Sequence, residues 1–159
     1  MDNHNNKITN IINFIKKNKN NKLTLQRNTS CCLKNDYKKN TTQVNISSLN
    51  KILEINKEFI ITEPLVTMET ILNECLKYNL TIPVITEFKH MTIGGALCGG
   101  AGESSSFIKG LLHETVLEYE IILGNGDKII ATKNNNNSDL FYAIPGSYGS
   151  LGIVTYIKI

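Results

Sequence analysis

The feature that most constrains this chain is a glycine-rich segment, T-I-G-G-A-L-C-G-G-A-G-E-S-S-S, over residues 92–106. Five of the nine positions from Gly94 to Gly102 are glycine, and three serines follow them. Glycine permits a positive φ and a close approach of the backbone, and consecutive amide groups without side chains can surround an anion such as a phosphate. The apolar residues interspersed among the glycines disfavour a flexible linker. The segment predicts either a ligand-cradling loop or a structural turn.

Two familiar phosphate-binding motifs are excluded for this segment. A P-loop needs a lysine directly after its last glycine, and no lysine follows here. A dinucleotide fingerprint needs a third glycine, whereas Gly100 and Gly102 are followed at that position by Ser105.

A second glycine cluster, P-G-S-Y-G-S-L-G-I-V-T, lies at residues 145–155, directly before a predicted strand. Two separated clusters of this kind in one small domain suggest a long, folded ligand that is contacted at two places. Each cluster alone is a weak signal.

The rest of the chain alternates between helical and extended patterns. Isoleucines at i, i+3, i+4 and i+7 predict a helix over residues 8–15, and Thr67 is a fitting N-cap for a second helix that ends near Asn79. An Asn-Gly pair between two alternating runs predicts a hairpin at residues 115–132. Further strands are predicted at residues 23–25, 52–56, 59–63, 81–85 and 152–159, and a short helix at 138. Hairpins outnumber βαβ units, which favours the α+β class.

Composition narrows the function classes. The 159 residues suit one ordinary domain, and a hydrophobic fraction of 41% supports a real core. Nine of the 17 basic residues lie in residues 1–40 against two acidic ones, and we interpret this basic head as a solvated face. A net charge of +3 with a single arginine argues against nucleic-acid binding.

The chain shows no membrane-spanning or secretory pattern, because it has no run of 18 apolar residues and an N-terminus of M-D-N-H-N-N-K. Its four cysteines, Cys31, Cys32, Cys75 and Cys98, form no C-x-x-C pair, and no histidine stands at a zinc-ligand spacing to them. We therefore expect a reduced, intracellular and cytoplasmic location and no metal.

Three motifs in order resemble the delta(24)-sterol reductase family: E-P-L-V-T-M at 63–68, the glycine-rich segment, and S-D-L-F-Y-A-I-P at 138–145 with the following G-S-L-G. That family belongs to the FAD-linked oxidoreductases with a vanillyl-alcohol-oxidase / p-cresol-methylhydroxylase (PCMH) type of FAD domain. The resemblance runs from about residue 8 to residue 159.

The resemblance implies a two-subdomain α+β fold with FAD between the subdomains and with the substrate (cap) domain absent. It divides the chain into an N-terminal helix and polar lead (1–22), a first subdomain (23–90) and a second subdomain (91–159). It also implies a set of FAD-binding residues. These are Thr92, Ile93, Gly94, Gly95, Ala96, Leu97, Cys98, Gly99, Gly100, Ala101, Gly102, Glu103, Ser104, Ser105, Gly149, Gly152, Ile153, Val154 and Arg27. At Arg27 the chain departs from the family, because no glycine follows it.

The activity implied by the resemblance is the reduction of a C=C bond, with NADPH as the electron donor and FAD as the carrier. The implied partners are a sterol-like substrate or a separate cap-domain chain, and the implied location includes association with the endoplasmic reticulum. The resemblance identifies no catalytic acid.

Two alternatives stay open. The chain can be a non-catalytic or truncated flavin- or nucleotide-binding remnant without a substrate domain, or an interaction domain without a ligand. Among single residues, His90 and His113 are weighed as acid–base groups against surface or capping histidines. Glu103 is expected to point to solvent or a ribose hydroxyl. Tyr142 and Tyr148 are weighed as ring-packing groups against half-buried core residues.

Overall fold

The computed structural model of the protein describes residues 2–26 and 40–159. In these residues the helices are α1 (Asp2–Lys17), α2 (Met68–Leu76), α3 (Ile93–Cys98), α4 (Ser106–Lys109), a 3₁₀ helix (Leu112–Thr115) and α5 (Ser138–Ala143). The strands are β1 (Leu23–Gln26), β2 (Thr42–Asn45), β3 (Ile52–Ile55), β4 (Ile60–Thr62), β5 (Glu118–Ile122), β6 (Lys128–Thr132) and β7 (Ile153–Lys158). The predicted site residue Arg27, and Cys31 and Cys32, lie outside the described residues.

Strands β3 to β7 form one sheet in the order β3-β4-β7-β5-β6. The β3–β4 and β5–β6 pairs are antiparallel hairpins, and β7, the last strand in sequence, enters between them. The predicted hairpin around Asn125 and Gly126 is confirmed, with the Gly126 amide donating to the Leu123 carbonyl at 2.9 Å. The late strand therefore holds the centre of the sheet together.

This sheet takes two strands from residues 23–90 and three from residues 91–159, so it crosses the expected subdomain boundary. A separate two-stranded sheet pairs β1 and β2 in parallel. The mixture of helices with mainly antiparallel strands confirms the α+β class, whereas the division into subdomains stays a prediction.

Both faces of the central sheet are covered. The apolar face of α1, with Ile8, Ile11 and Ile15, packs in one buried cluster with Ile122 of β5 and Ile153 of β7. The helices α2, α3 and α5 contribute to a larger cluster that includes Tyr119 and Ile121 of β5. Since successive strand residues point to opposite faces, β5 is buried on both sides, in contrast to a solvent-facing hairpin strand.

The predicted helix after Thr67 is confirmed, and its cap is made as expected. The Thr67 side-chain oxygen accepts a hydrogen bond from the Thr70 amide at 3.2 Å. An antiparallel bridge then joins Thr67 to Thr92, so the start of α2 and the start of α3 are held side by side. This contact positions the glycine-rich segment against the core.

Two local predictions were wrong. Residues 81–85 form no strand, although Ile82 and Val84 are buried, because the described chain supplies no neighbouring strand for this extended segment. Residues 42–45, for which we predicted no strand, form strand β2 by pairing with β1.

Candidate functional site

The glycine-rich segment begins with a short buried helix, α3, where we expected a loop. Thr92 caps it, since its side-chain oxygen accepts from the Gly95 amide at 3.3 Å. The amides of Ile93 and Gly94 donate to the carbonyls of Val66 and Pro64, each at 2.9 Å. The first amides of this segment are therefore used within the protein.

Several predicted site residues in α3 have a packing role. The side chains of Ile93, Ala96 and Leu97 lie in the main core. A Cβ added at Gly94 would come within 2.7 Å of the Pro64 Cβ and 2.9 Å of its carbonyl oxygen. Glycine is thus required at position 94 because the backbone of another segment lies against it.

Beyond α3 the segment turns back toward the surface. Gly99 is the C-cap residue, Gly100 has a φ of +69°, and a Cβ at Gly100 would meet nothing within 4 Å. The Ala101 amide donates to the Ala96 carbonyl at 2.9 Å, and a Cβ at Gly102 would touch the Leu111 side chain. Open space for a ligand in this segment therefore lies at Gly100.

Polar side chains of the glycine-rich segment stabilise its C-terminal end by hydrogen bonds. The Glu103 carboxylate accepts from the amides of Ser104 and Glu87, so it does not point free into solvent. The Ser105 hydroxyl donates to the Pro83 carbonyl at 3.1 Å, and Ser104 is exposed. Of the three serines that follow the glycines, Ser104 is the one whose side chain is most accessible to a ligand.

The second glycine cluster forms one wall of a cavity of about 440 Å³. Gly149, with a φ of +80°, lies in this wall, and a Cβ added there would meet nothing within 4 Å. A Cβ at Gly152 would instead lie 2.6 Å from the Ile122 carbonyl oxygen. Ile153 also lines the cavity, whereas Val154 is buried in the core on the other side of β7.

The remaining walls come from α1, β1, β2 and the β5–β6 turn. Their apolar lining residues are Ile15, Leu23, Leu25, Val44, Ile122 and Leu123, and their polar ones are Lys19, Asn21 and Thr24. A volume of this size with mostly apolar walls and a few polar groups is typical of a small-molecule site. The β1 strand that lines it ends at Gln26, one residue before the predicted site residue Arg27.

The two glycine clusters, whose nearest glycines Gly102 and Gly146 are 44 residues apart in sequence, meet in space. The Tyr148 amide donates to the Cys98 carbonyl at 3.4 Å, which joins the cavity wall to the end of α3. The structure thus brings together the cluster around Gly149 and the stretch around Gly100. It does not bring Ile93, Leu97 or Val154 to the cavity, because these side chains are buried in the core.

The cavity has room for part of the cofactor that the resemblance implies. Its glycine wall has a left-handed backbone at Gly149 beside open space, which leaves room for a ligand where a side chain would otherwise project. Among residues 2–26 and 40–159, no group of three or more His, Cys, Asp or Glu side chains is arranged to hold a metal ion.

A buried charge network that sequence reasoning missed fastens α1 to the sheet. His4, 2% exposed, places Nδ1 2.8 Å from Glu63 Oε1 and Nε2 3.1 Å from Glu120 Oε1. Glu63 also accepts from Lys7 Nζ at 2.9 Å, and Lys128 Nζ lies 2.9 Å from Glu120. With a carboxylate at each ring nitrogen, His4 can donate both bonds only as the imidazolium.

The network favours the charged forms of His4, Glu63 and Glu120. Burial by itself would lower the pKa of His4, but the hydrogen bonds to Glu120 and Glu63 outweigh it and raise that pKa above 6.5. Burial would likewise raise the pKa of Glu63 and of Glu120. The hydrogen bond from His4 and the nearby lysines outweigh this effect and lower the pKa of both.

The sequence offered little to reveal this network. Glu120 lies in an alternating run where a glutamate is expected to face solvent, and that face is covered by α1. In the sequence, Glu63 is only the first residue of the motif E-P-L-V-T-M, and nothing in that motif indicates a buried ion pair. The one available hint is that Glu120 stands between a tyrosine and two isoleucines at the centre of the strand E-Y-E-I-I.

Of the four other weighed residues, three lie outside the lining of the cavity. His90 is exposed, and His113 lies in the 3₁₀ helix, its Nδ1 buried without a hydrogen-bond partner among the residues described. Tyr142 is 65% exposed and Tyr148 is 82% exposed, so neither is a half-buried core residue. Of these four, Tyr148 alone lines the cavity.

No helix in the described part of the chain combines the length and the apolar character needed to cross a membrane.

Comparison with known proteins identifies the family of the chain. A family model described as "FAD binding domain" matches residues 3–132. Delta(24)-sterol reductase of Arabidopsis thaliana is 42% identical over 127 residues, which cover 78% of this chain and 23% of that protein. The Homo sapiens protein of the same name is 37% identical over 125 residues, 77% of this chain and 24% of that protein.

A second kind of relative is also present. Cytokinin dehydrogenase 9 of Oryza sativa subsp. japonica is 37% identical over 89 residues, which cover 56% of this chain and 17% of that protein. The chain spans less than a quarter of the length of each of these three relatives. Their names describe two different reactions. The chain belongs to the family of FAD-binding domains found in oxidoreductases such as these.

Proposed function

We propose that the chain binds FAD in the cavity beside Gly149 and is the cofactor-binding module of an oxidoreductase that reduces a C=C bond. The observation that carries the proposal is the side-chain-free backbone at Gly149, which faces open space in a cavity of about 440 Å³. The match of residues 3–132 to the FAD-binding family supports FAD as the ligand.

We assign the cofactor contacts in two groups. Gly149, Gly152 and Ile153 would hold the part of FAD that enters the cavity. The surface from Cys98 through Gly100 to Ser104 would follow the part that extends outside, since the Tyr148–Cys98 hydrogen bond places the two surfaces side by side. Thr92, Gly94 and their buried neighbours would act indirectly, by fixing where α3 ends.

Bound FAD would supply hydride transfer, and the protein would supply binding, orientation and exclusion of water. The apolar walls of the cavity would exclude water, and Lys19 in its lining would bring positive charge near the cofactor phosphates. Arg27 is proposed as a cofactor contact on the resemblance alone. The protein's own part in the reaction is thus to hold the cofactor in one position.

The finer parts of the proposal concern the reaction partners. We propose NADPH as the electron donor and a sterol-like alkene as the substrate, on the basis of the relatives named delta(24)-sterol reductase. Phe107 and Ile108 of α4 are 86% and 69% exposed beside the glycine-rich segment, which would suit an apolar substrate or a separate cap-domain chain. We propose an intracellular location, either cytoplasmic or in association with the endoplasmic reticulum.

The first experiment measures FAD binding by the full chain, by isothermal titration and by thermal unfolding. At 100 times the Kd, a ligand of the native state adds about 2.7 kcal/mol of stability, which at this size raises Tm by roughly 5–11 °C. A Tm that does not move at millimolar FAD overturns the proposal. FAD binding without NADPH oxidation in the presence of a delta(24)-unsaturated sterol favours the non-catalytic remnant.

A matched pair of variants locates the site. Gly149 and Gly146 have φ values of +80° and +73°, and an added Cβ would meet nothing within 4 Å at either, but only Gly149 lines the cavity. Gly149→Leu and Gly146→Leu therefore share the same backbone strain. We expect Gly149→Leu to weaken FAD binding by about tenfold more than Gly146→Leu. Equal losses would place the cofactor elsewhere.

A further inference from the structure

Tyr148 stands out among the residues that line the cavity. Its side chain is 82% exposed, so burial of this side chain contributes little to the stability of the fold. It is the single aromatic residue of the lining within the described ranges 2–26 and 40–159. Leu151, 40% exposed, is a second large apolar side chain on the same wall. The wall thus presents an apolar rim that the described residues do not cover.

The backbone at Tyr148 is held in an unfavourable conformation. Its φ of +51° lies in the left-handed region, which disfavours a residue with a bulky side chain, whereas glycine or asparagine adopts it readily. The turn is held by the Ser147 amide on the Ile144 carbonyl at 3.1 Å and the Ser150 amide on the Ser147 carbonyl at 3.0 Å. Neither bond requires a tyrosine, so folding alone does not explain the residue.

Strained positions of this kind cluster at ligand-binding sites, where the strained side chain has a task that the fold does not explain. The task is indicated by the surroundings. Other parts of the lining are aliphatic, with Leu23, Leu25 and Ile122. A planar heteroaromatic ring that lies between aliphatic side chains and an aromatic side chain is packed on both of its faces.

We propose that Tyr148 covers the cavity and stacks on a planar ring of the bound cofactor. The inference rests on the proposed function, because FAD contains two planar ring systems and the cavity accommodates one of them. It assigns to a single side chain of this protein a direct part in cofactor affinity. The left-handed backbone at position 148 is then the conformation that brings the ring to the mouth of the cavity.

The test is the Kd for FAD of the full chain, measured by isothermal titration on Tyr148→Phe, Tyr148→Leu and the control Tyr142→Leu. Stacking of a base on an aromatic side chain corresponds to roughly 5- to 150-fold in affinity. We expect Tyr148→Leu to bind about tenfold more weakly, and Tyr148→Phe and Tyr142→Leu to stay within about twofold of the wild type. An unchanged Kd for Tyr148→Leu overturns the inference.

A second variant separates a ligand role from a structural one. Tyr148→Gly relieves the left-handed strain, so we expect its Tm without ligand to be equal to or above that of the wild type. Its affinity for FAD should nevertheless fall as in Tyr148→Leu. A loss of Tm together with affinity would show that Tyr148 stabilises the fold, and would overturn the proposal.

Failure of the inference can be told from failure of the proposed function. If the wild type binds no FAD, the proposed function is overturned. If the wild type binds FAD and Tyr148→Leu binds it equally well, only the stacking role of Tyr148 is overturned. Titrations with ADP and with FMN identify the ring, since only the half that meets Tyr148 should lose affinity in Tyr148→Leu. A variant that loses affinity for neither half contradicts stacking.

Discussion

The replacement Glu63→Gln tests whether the buried charge network holds α1 on the sheet. Glu63 is fully buried and accepts from His4 Nδ1 at 2.8 Å, from Lys7 Nζ at 2.9 Å and from the Lys51 amide at 2.8 Å. Glutamine has nearly the same volume, so the change leaves no cavity. Its single amide oxygen cannot replace two carboxylate oxygens, and its NH₂ group would face a donor.

The expected loss follows from burial and charge. Removing one partner of a buried ion pair costs about 3–5 kcal/mol, because the remaining charge is left without its counter-ion away from water. A domain of this kind has a total stability of about 5–15 kcal/mol. At roughly 2–4 °C per kcal/mol, we expect Tm to fall by about 6–20 °C. Adding Lys7→Met should recover part of this loss, since it removes an unpaired cation.

The assay is denaturant and thermal unfolding followed by far-UV circular dichroism. The matched control is Glu74→Gln, which breaks the pair with Lys77 at 2.7 Å, where both side chains are largely in solvent. Exposed pairs contribute about 0–1 kcal/mol, so the control should barely move Tm. A Glu63→Gln variant that lies within 1 kcal/mol of the wild type would refute the reasoning.

Two further predictions come from the same structure. The pKa of His4 is raised and the pKa of its two carboxylate partners is lowered, so the stability of the network is lost as pH rises above 6.5 through the His4 pKa and as pH falls below 4.5 through the carboxylate pKa values. In unfolding curves from pH 4 to 9, His4→Gln should remove the alkaline part of this dependence and His90→Gln should not. Gly152→Ala should destabilise the fold by about 1–3 kcal/mol, because its Cβ would lie 2.6 Å from the Ile122 carbonyl. Gly124→Ala, whose Cβ meets nothing within 4 Å, should differ from the wild type by much less, and equal unfolding free energies for the two variants would contradict the packing argument.

Elements stabilised by neighbouring residues could be predicted from the sequence. The isoleucine spacing in α1, the Thr67 cap of α2 and the Asn-Gly turn between β5 and β6 all depend on contacts within a few positions. These patterns can be recognised without knowledge of the fold, because the residues that form them are close together in the sequence.

Elements that depend on a distant partner could not be predicted. Strand β2, T-Q-V-N, is polar in composition and is a strand because β1 pairs with it. Residues 81–85 have the alternation of a strand, yet the described chain brings no strand beside them. Pairing with a remote segment decides both cases, and local composition does not report it.

The candidate site was predicted in part. Two glycine clusters pointed to one ligand, and the Tyr148–Cys98 contact brings them together. The sequence could not separate a glycine that leaves room for a ligand, as at Gly149, from one that leaves room for Pro64, as at Gly94. The two glycines cannot be distinguished in the sequence, because the group that lies against each of them is set by the tertiary structure.

By itself, the sequence determined the α+β class, the presence of the locally stabilised elements and a resemblance to FAD-linked oxidoreductases, since these depend on short-range patterns. The tertiary structure alone decided that β7 lies at the centre of the sheet, that α1 covers Glu120 and that His4 joins two buried carboxylates. It also decided which glycine faces the cavity. These properties arise from segments far apart in sequence, and burial and charge pairing exist only after those segments meet.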